Sequence, residues 1–433
     1  MSDQPEGSQP ATTPSPGGRL GRDQGTFSGM SDRGRVLLIS TLAFTIFFAV
    51  WVMFAIVGIP LRDDLDLSAG QFALLLAVPI LTGSVLRVPM GMLTDRYGGR
   101  HVMTWLLVAT AIPTFVVAYV DGYAPILILA FFVGLAGTSF AVGIAWVSVW
   151  YDREHQGVAL GTFGAGNVGA SITKLLAPTL VTLVAAGGLL GGVIPGEWRF
   201  VPFLYGIALL VTAAAVWHFS PQGDPTPAKG RSLADLSRPL LILRVWRFGL
   251  YYVVVFGAYV ALSLWLPKYY VDVYDLELVI AGLLTAMFIF PASLLRPFGG
   301  WLSDLFGARR ITFIAFGIIA VASLILFAPM GVGPFTVFVL AIGVAMGIGK
   351  ASVYKYVPEY FPSDVGATGG LVGAIGGLGG FFLPLMFTAA LAWTGRPESA
   401  FYVLFAFVAV STVWLSIVVH DLNVRERLEG EAT

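Results

Sequence analysis

The segment GMLTDRYGGR at residues 91–100 returns as GWLSDLFGAR at residues 300–309. The offset is 209 residues, and Arg87 and Arg296, Tyr151 and Tyr360, Gly157 and Gly366, and Gly161 and Gly370 keep it. A register shared by places so far apart marks a duplicated unit. Around the two copies, long apolar runs alternate with short polar breaks.

Of the 433 residues, 57% are hydrophobic and 12% charged. Soluble domains carry about 25% charged residues, so a soluble enzyme is excluded. The 25 basic and 25 acidic residues cancel, which leaves no field for a nucleic-acid partner. The chain has no cysteine, and none of its four histidines lies in an apolar run or at metal-ligand spacing. A disulfide framework, a metal site and a thiol nucleophile are therefore not expected, and no cofactor is.

Twelve runs meet the roughly 20 residues a bilayer-crossing helix needs: 36–59, 70–94, 101–120, 123–150, 156–184, 199–218, 243–271, 278–305, 309–329, 333–360, 364–394 and 399–419. The sequence predicts an all-α membrane protein of two pseudo-symmetric six-helix bundles, 36–218 and 243–419. A polar linker at 219–242 joins them. Residues 1–35, rich in Ser, Pro and Gly, read as a disordered tail, and 420–433 as a second tail. Arginines flank one side: Arg33 and Arg35, Arg96 and Arg100, Arg309 and Arg310, with Lys229 to Arg247 between the bundles. The positive-inside rule makes that side cytoplasmic. Both termini are then cytoplasmic, in a multi-pass protein of the inner (plasma) membrane.

The repeated G-x-L-x-D-x-x-G-x-R pattern resembles the loop motif of the major facilitator superfamily. Its elements here are Gly91, Asp95, Arg96 and Arg100, then Gly300, Asp304 and Arg309. Each aspartate can reach the N-terminus of a facing helix, where the macrodipole favours a carboxylate. This predicts a cytoplasmic latch and says nothing about cargo.

Cargo is read from charges inside the membrane, which are costly and usually functional. Arg87 and Arg296 each lie eight residues before a motif aspartate, about 12 Å in from the helix end. Pro89 and Pro297 follow them and free carbonyls in the preceding turn. Symmetric positions predict that the two arginines face each other across the central cavity. No Asp or Glu falls within the helix cores, so the counter-ion is expected to be the substrate. A guanidinium fork suits a small planar oxyanion. This reasoning alone leaves nitrate, formate and oxalate open.

The fifth run reads GTFGAGNVGASITKLLAP at 161–178, and the eleventh reads GATGGLVGAIGGLGGFFLP at 366–384. Asn167, Ser171 and Lys174 share one helical face, and a buried amide needs partners. The paired glycine-rich stretches, with SVLRVPMG, SLLRPFGG and GLAGTSF, resemble the nitrate/nitrite porter family of that superfamily. The likeness covers about residues 36–419. It implies nitrate held between Arg87 and Arg296, with Asn167, Tyr252 and Phe140 as further substrate contacts. Gly164, Gly166, Gly169, Gly373, Gly376 and Gly377 are the candidate gating glycines, or else static packing positions.

Lys350 stands where exchangers of that family carry an uncharged residue, and Lys174 and Lys355 add two more helix lysines. This pattern resembles the proton-linked importer branch. Moving one anion inward costs about 2.3 kcal/mol per 100 mV, a term that exchange removes and symport with two protons reverses. Taken out of water, a lysine can give up its proton near neutral pH, so Lys174, Lys350 and Lys355 are the proton-coupling candidates. The first expectation is nitrate import with protons by a functional monomer in the lipid bilayer. The alternative is nitrate/nitrite exchange on the same residues. A third reading, organic-anion exchange, is weaker, and no catalytic constellation supports an enzyme.

Overall fold

A computed structural model of the chain describes residues 30–431. The expected N-terminal tail falls outside the described residues as far as residue 29. The first helix already begins at Asp32, where the Ser31 side chain accepts the Gly34 N–H. That cap, with Asp32 in the first turn, suits a helix start. The last helix continues through the expected C-terminal tail to Glu431.

The helices, in chain order, are α1 (Asp32–Asp64), α2 (Gly70–Tyr97), α3 (Gly99–Val117) and α4 (Tyr123–Ser148). Next comes α5, which joins Gln156–Gly164 to Gly169–Leu183 through a tighter turn at Ala165–Val168. It is followed by α6 (Glu197–Phe219) and α7 (Leu243–Tyr274). Then α8 is a pair, Ile280–Leu294 and Arg296–Phe306, bent by 42°. Last come α9 (Ala308–Ile325), α10 (Val332–Tyr360), α11 (Val365–Thr394) and α12 (Ser399–Glu431). Apolar side chains point outward along these helices, among them Trp105, Ile128 and Val413. Helices apolar on every side belong in a membrane.

The expected count of twelve spans is narrowed. Among the described residues ten helices are long and apolar enough to cross a bilayer, or eleven if α8 is one span. The helix that falls short is α5, whose glycines, Asn167 and Lys174 dilute its apolarity. What stands is an all-α, multi-span membrane protein.

Two irregularities position the centre. Arg87 and Arg296 each open a new helical segment, after breaks at Leu86 and Leu295. Pro89 and Pro297 have no N–H to offer the preceding turn, and a proline is the usual cause of such a break. In α7 the residues Val253–Gly257 form a π-turn directly after Tyr252. The wider turn leaves the rings of Tyr252 and Phe256 stacked, 5.0 Å apart and 10° from parallel.

Candidate anion site

Arg87 and Arg296 are both 1% exposed. Arg87 donates through Nε to the Gly137 carbonyl at 2.9 Å and through Nη1 to the Gly373 carbonyl at 2.6 Å. Its guanidinium carbon stands 5.3 Å from the Trp51 ring centre and 5.7 Å from that of Phe256. Arg296 donates only to the Tyr252 hydroxyl, from Nη2 at 3.4 Å. Its Nε and Nη1 are buried with no hydrogen-bond partner among the described residues.

The Phe140 ring lies between the two cations. Its centre is 5.6 Å from the Arg87 guanidinium and 5.3 Å from that of Arg296. Phe140 is also nearly parallel to Tyr252, at 6.2 Å, and to Phe256, at 6.5 Å. Ring faces carry negative potential, so this aromatic stack steadies two like charges held near one another. Among the described residues no carboxylate pairs with Arg87 or Arg296.

Asn167 is 1% exposed, and both its Nδ2 and its Oδ1 lack partners among the described residues. Leaving buried polar atoms unpaired costs about 1–3 kcal/mol for each group. Of the two Asn167 atoms, Nδ2 could donate to an anion, whereas Oδ1 needs a donor. Ser84 Oγ is another buried atom without a partner, and it lies where a Cβ on Gly377 would fall.

The glycines divide into two sets. A Cβ on Gly164 would strike the Arg296 guanidinium, and one on Gly373 would sit 2.6 Å from the Tyr354 hydroxyl and 3.2 Å from Arg87 Cδ. Gly376 faces the Tyr252 ring and Gly377 faces Ser84. Gly166 and Gly169 instead meet α1 at Phe44 and Thr45. The first set makes room for side chains of the centre, and the second lets two helix backbones approach.

The motif aspartates cross the molecule. Asp95 accepts the Gly366 N–H at 2.9 Å and the Ala367 N–H at 3.2 Å, at the start of α11. Asp304 accepts the Gly157 N–H at 2.9 Å and the Val158 N–H at 2.8 Å, at the start of α5. Gly91 meets the Gly366 backbone and Gly300 meets that of Gly157, so close that no Cβ would fit. Each copy of the repeat therefore holds a helix start of the other. The three motif arginines lie apart from these contacts: Arg96 stands over the Tyr97 ring, Arg100 donates to the Trp217 carbonyl, and Arg309 lines a separate pocket.

Away from that closed side, a cavity of about 140 Å³ lies between α1, α2 and α5 on one side and α7, α8 and α11 on the other. Ser171 and Lys174 line it, along with Trp51, Phe256 and Tyr259. Asn167, expected on the same face, sits one turn deeper in the 3₁₀ segment and outside the lining.

The three lysines occupy three different settings. Lys174 is half-buried at the cavity wall. Lys350 is fully buried, donates to the Ala292 carbonyl at 2.9 Å and stands 3.1 Å from the centre of the Tyr259 ring. Lys355 forms an ion pair with Asp304 at 2.5 Å and also donates to the Ser303 carbonyl at 3.1 Å.

Phe256, Trp51 and Tyr354 belong to this centre and were not singled out from the sequence. Tyr354 donates to the Gly369 carbonyl at 2.8 Å and meets Phe140 and Tyr252 edge-on. Phe256 was visible as the aromatic of the Phe-Gly pair four residues beyond Tyr252. Nothing in the local pattern marks Trp51 or Tyr354.

A fold that closes on one side around repeated aspartates, with basic residues and, among the described residues, no acid paired to them at its centre, defines a membrane carrier. Residues 39–288 and 277–431 match the Major Facilitator Superfamily. A "Probable nitrate/nitrite antiporter NarK1" of Thermus thermophilus is 54% identical over 414 residues, covering 91% of this chain and 94% of that one. A "Probable nitrate transporter NarT" of Staphylococcus epidermidis is 32% identical, over 90% and 97% of the two chains. A "Nitrite extrusion protein" of Bacillus subtilis is 32% identical, over 85% and 90%. Among solved structures, the human organic anion transporter MFSD10 superposes with a TM-score of 0.70 at 15% identity, over 89% of this chain and all of that one. FucP in its outward conformation gives 0.69 at 16% identity, over 88% and 99%; both likenesses speak to fold alone. The chain belongs to the nitrate/nitrite porter family of the major facilitator superfamily.

Proposed function

We propose that this chain exchanges nitrate for nitrite across the membrane. It would work as a monomer by alternating access between two six-helix bundles, 36–218 and 243–419, with α5 and the bent α8 each counted as a span. The observation that carries the reading is the unpaired donor set of Arg296 beside Arg87, without any carboxylate between them. A planar oxyanion offers acceptors only, which matches guanidinium nitrogens and the Asn167 amide N–H. The name of the Thermus relative favours exchange over the proton-linked import that the lysines first suggested.

Exchange also agrees with the settings of the lysines. Lys355 is occupied by Asp304, in a contact of the latch rather than of the anion path. Proton symport remains the second reading, supported by Lys174 at the cavity wall and by Lys350, which has no carboxylate partner among the described residues. In this scheme both termini are cytoplasmic, and the cavity faces the opposite side of the membrane.

Proteoliposomes distinguish the two. Exchange predicts that nitrate enters only vesicles loaded with nitrite or nitrate. If an inward proton gradient fills anion-free vesicles, symport replaces exchange. In that case Lys174→Gln or Lys350→Gln must reduce pH-driven uptake, and full activity in both would remove the lysines from the mechanism. Competition by oxalate would revive the organic-anion reading.

A further inference from the structure

A second group of basic residues lies on the side of the latch, away from the central pair. Arg244 and Arg247 in the first turns of α7, Arg309 at the start of α9, and Tyr251, Tyr356 and Tyr360 enclose one pocket. Leu415, Val418 and Val419 of α12 form its apolar wall. Among the described residues none of the three arginines pairs with a carboxylate. Tyr251 is 0% and Tyr356 4% exposed. Among the described residues the Tyr251 hydroxyl and Arg247 Nε are buried without a hydrogen-bond partner, while the Tyr356 hydroxyl lies against that of Thr312.

The repeat supplies an internal control. At the same offset, Arg35 corresponds to Arg244 and Arg100 to Arg309. Arg35 pairs with Asp32 at 3.0 Å and donates to the Phe219 carbonyl at 3.0 Å. Arg100 donates to the Trp217 carbonyl at 2.7 Å and lies 4.4 Å from the centre of its ring. Where the second copy has Arg247, Tyr251 and Tyr356, the first has Leu38, Leu42 and Val147. The first copy satisfies its cations within the protein. The second gives Arg244 the Tyr360 ring at 5.0 Å and Arg247 the Phe248 ring at 5.8 Å, but no carboxylate among the described residues. It adds the unpartnered Arg247 Nε and Tyr251 hydroxyl to the same space.

Beside the pocket, Leu241 is 88%, Leu243 67% and Trp246 50% exposed. Apolar side chains mixed with arginines at a helix end are suited to a bilayer surface, and basic pockets between membrane helices suit phosphate headgroups. We propose that this pocket binds the phosphate of an anionic phospholipid in the adjacent leaflet. The arginines and the Tyr251 hydroxyl donate to its oxygens, and an acyl chain lies along Leu415 and Val418.

The test uses the full-length protein in neutral detergent, titrated with phosphatidylglycerol, with phosphatidylcholine and with inorganic phosphate. Thermal stability and retained lipid by native mass spectrometry are the readouts. Phosphatidylglycerol is expected to raise Tm saturably and to be retained, whereas phosphatidylcholine is not. R244Q/R247Q is expected to weaken that response about fivefold for each arginine removed. Tyr251→Phe deletes a hydroxyl that holds nothing else among the described residues, so it weakens the response without unfolding the protein. An equal response to phosphatidylcholine, or one unchanged in both variants, overturns the proposal. Equal stabilisation by inorganic phosphate, lost in the same variants, would overturn the lipid source in favour of a soluble anion.

Discussion

Arg87 and Arg296 occupy matching places in the two copies of the repeat, yet the protein uses them differently. Arg87 spends two of its nitrogens on the carbonyls of Gly137 and Gly373, which ties α2 to α4 and α11. Arg296 makes one long bond to a tyrosine hydroxyl and leaves two nitrogens open. Duplication sets where the charges stand, and local partners decide what each is free to hold. In this account Arg87 is the fixed wall of the anion site, and Arg296 is the hand that closes on the anion.

Replacing each by lysine gives the largest expected effect and the sharpest break of the comparison. Arg296→Lys should cut nitrate transport about 100-fold or more, because a point charge cannot reproduce two directed bonds. Its Tm should stay close to that of the parent, since few internal bonds are lost. Arg87→Lys should abolish transport as well and also lower Tm, because a buried carbonyl loses its partner at a cost of about 1–3 kcal/mol. Equal melting temperatures for the two variants would mean that the asymmetry has no energetic weight.

Asn167→Ala sharpens the same point at smaller scale. Its amide has no partner among the described residues, so the substitution should weaken nitrate binding about tenfold while leaving stability unchanged or slightly improved. Isothermal titration alongside a melting curve would read both. A large loss of Tm would assign Asn167 to the framework rather than to the site.

The latch offers the smallest effect. Asp95 and Asp304 each hold a helix start, but only Asp304 also holds a lysine. Lys355→Gln should leave both backbone contacts in place and alter exchange rates only severalfold. It should shift crosslinking between α5 and α8 on the latch side toward the open form. Loss of proton-driven uptake instead would return Lys355 to the coupling path.

Much of this was legible in the sequence. The offset of 209 located the arginines and the motif aspartates, and helix geometry placed the latter within reach of facing helix starts. The rest depends on contacts between helices that no local pattern encodes. The 3₁₀ segments at Gly134–Thr138 and Ala165–Val168, and the π-turn at Val253–Gly257, arise from packing. They orient the Gly137 carbonyl, Asn167 and Phe256. Trp51 reaches the site because its indole donates to the Pro79 carbonyl at 2.8 Å, 28 residues away in the chain. Ten or eleven of the twelve expected spans are long and apolar enough among the described residues, and the reason is compositional: glycines that let α5 approach α1 and Arg296 also make it less apolar.

The most direct test of the account is an experimental structure of the protein with nitrate bound. The account predicts the anion beside Phe140, within hydrogen-bond distance of Arg296 Nε or Nη1 and of the Asn167 amide, with Arg87 still bound to Gly137 and Gly373. Nitrate held elsewhere, with the two Arg296 nitrogens still unpaired, would contradict it.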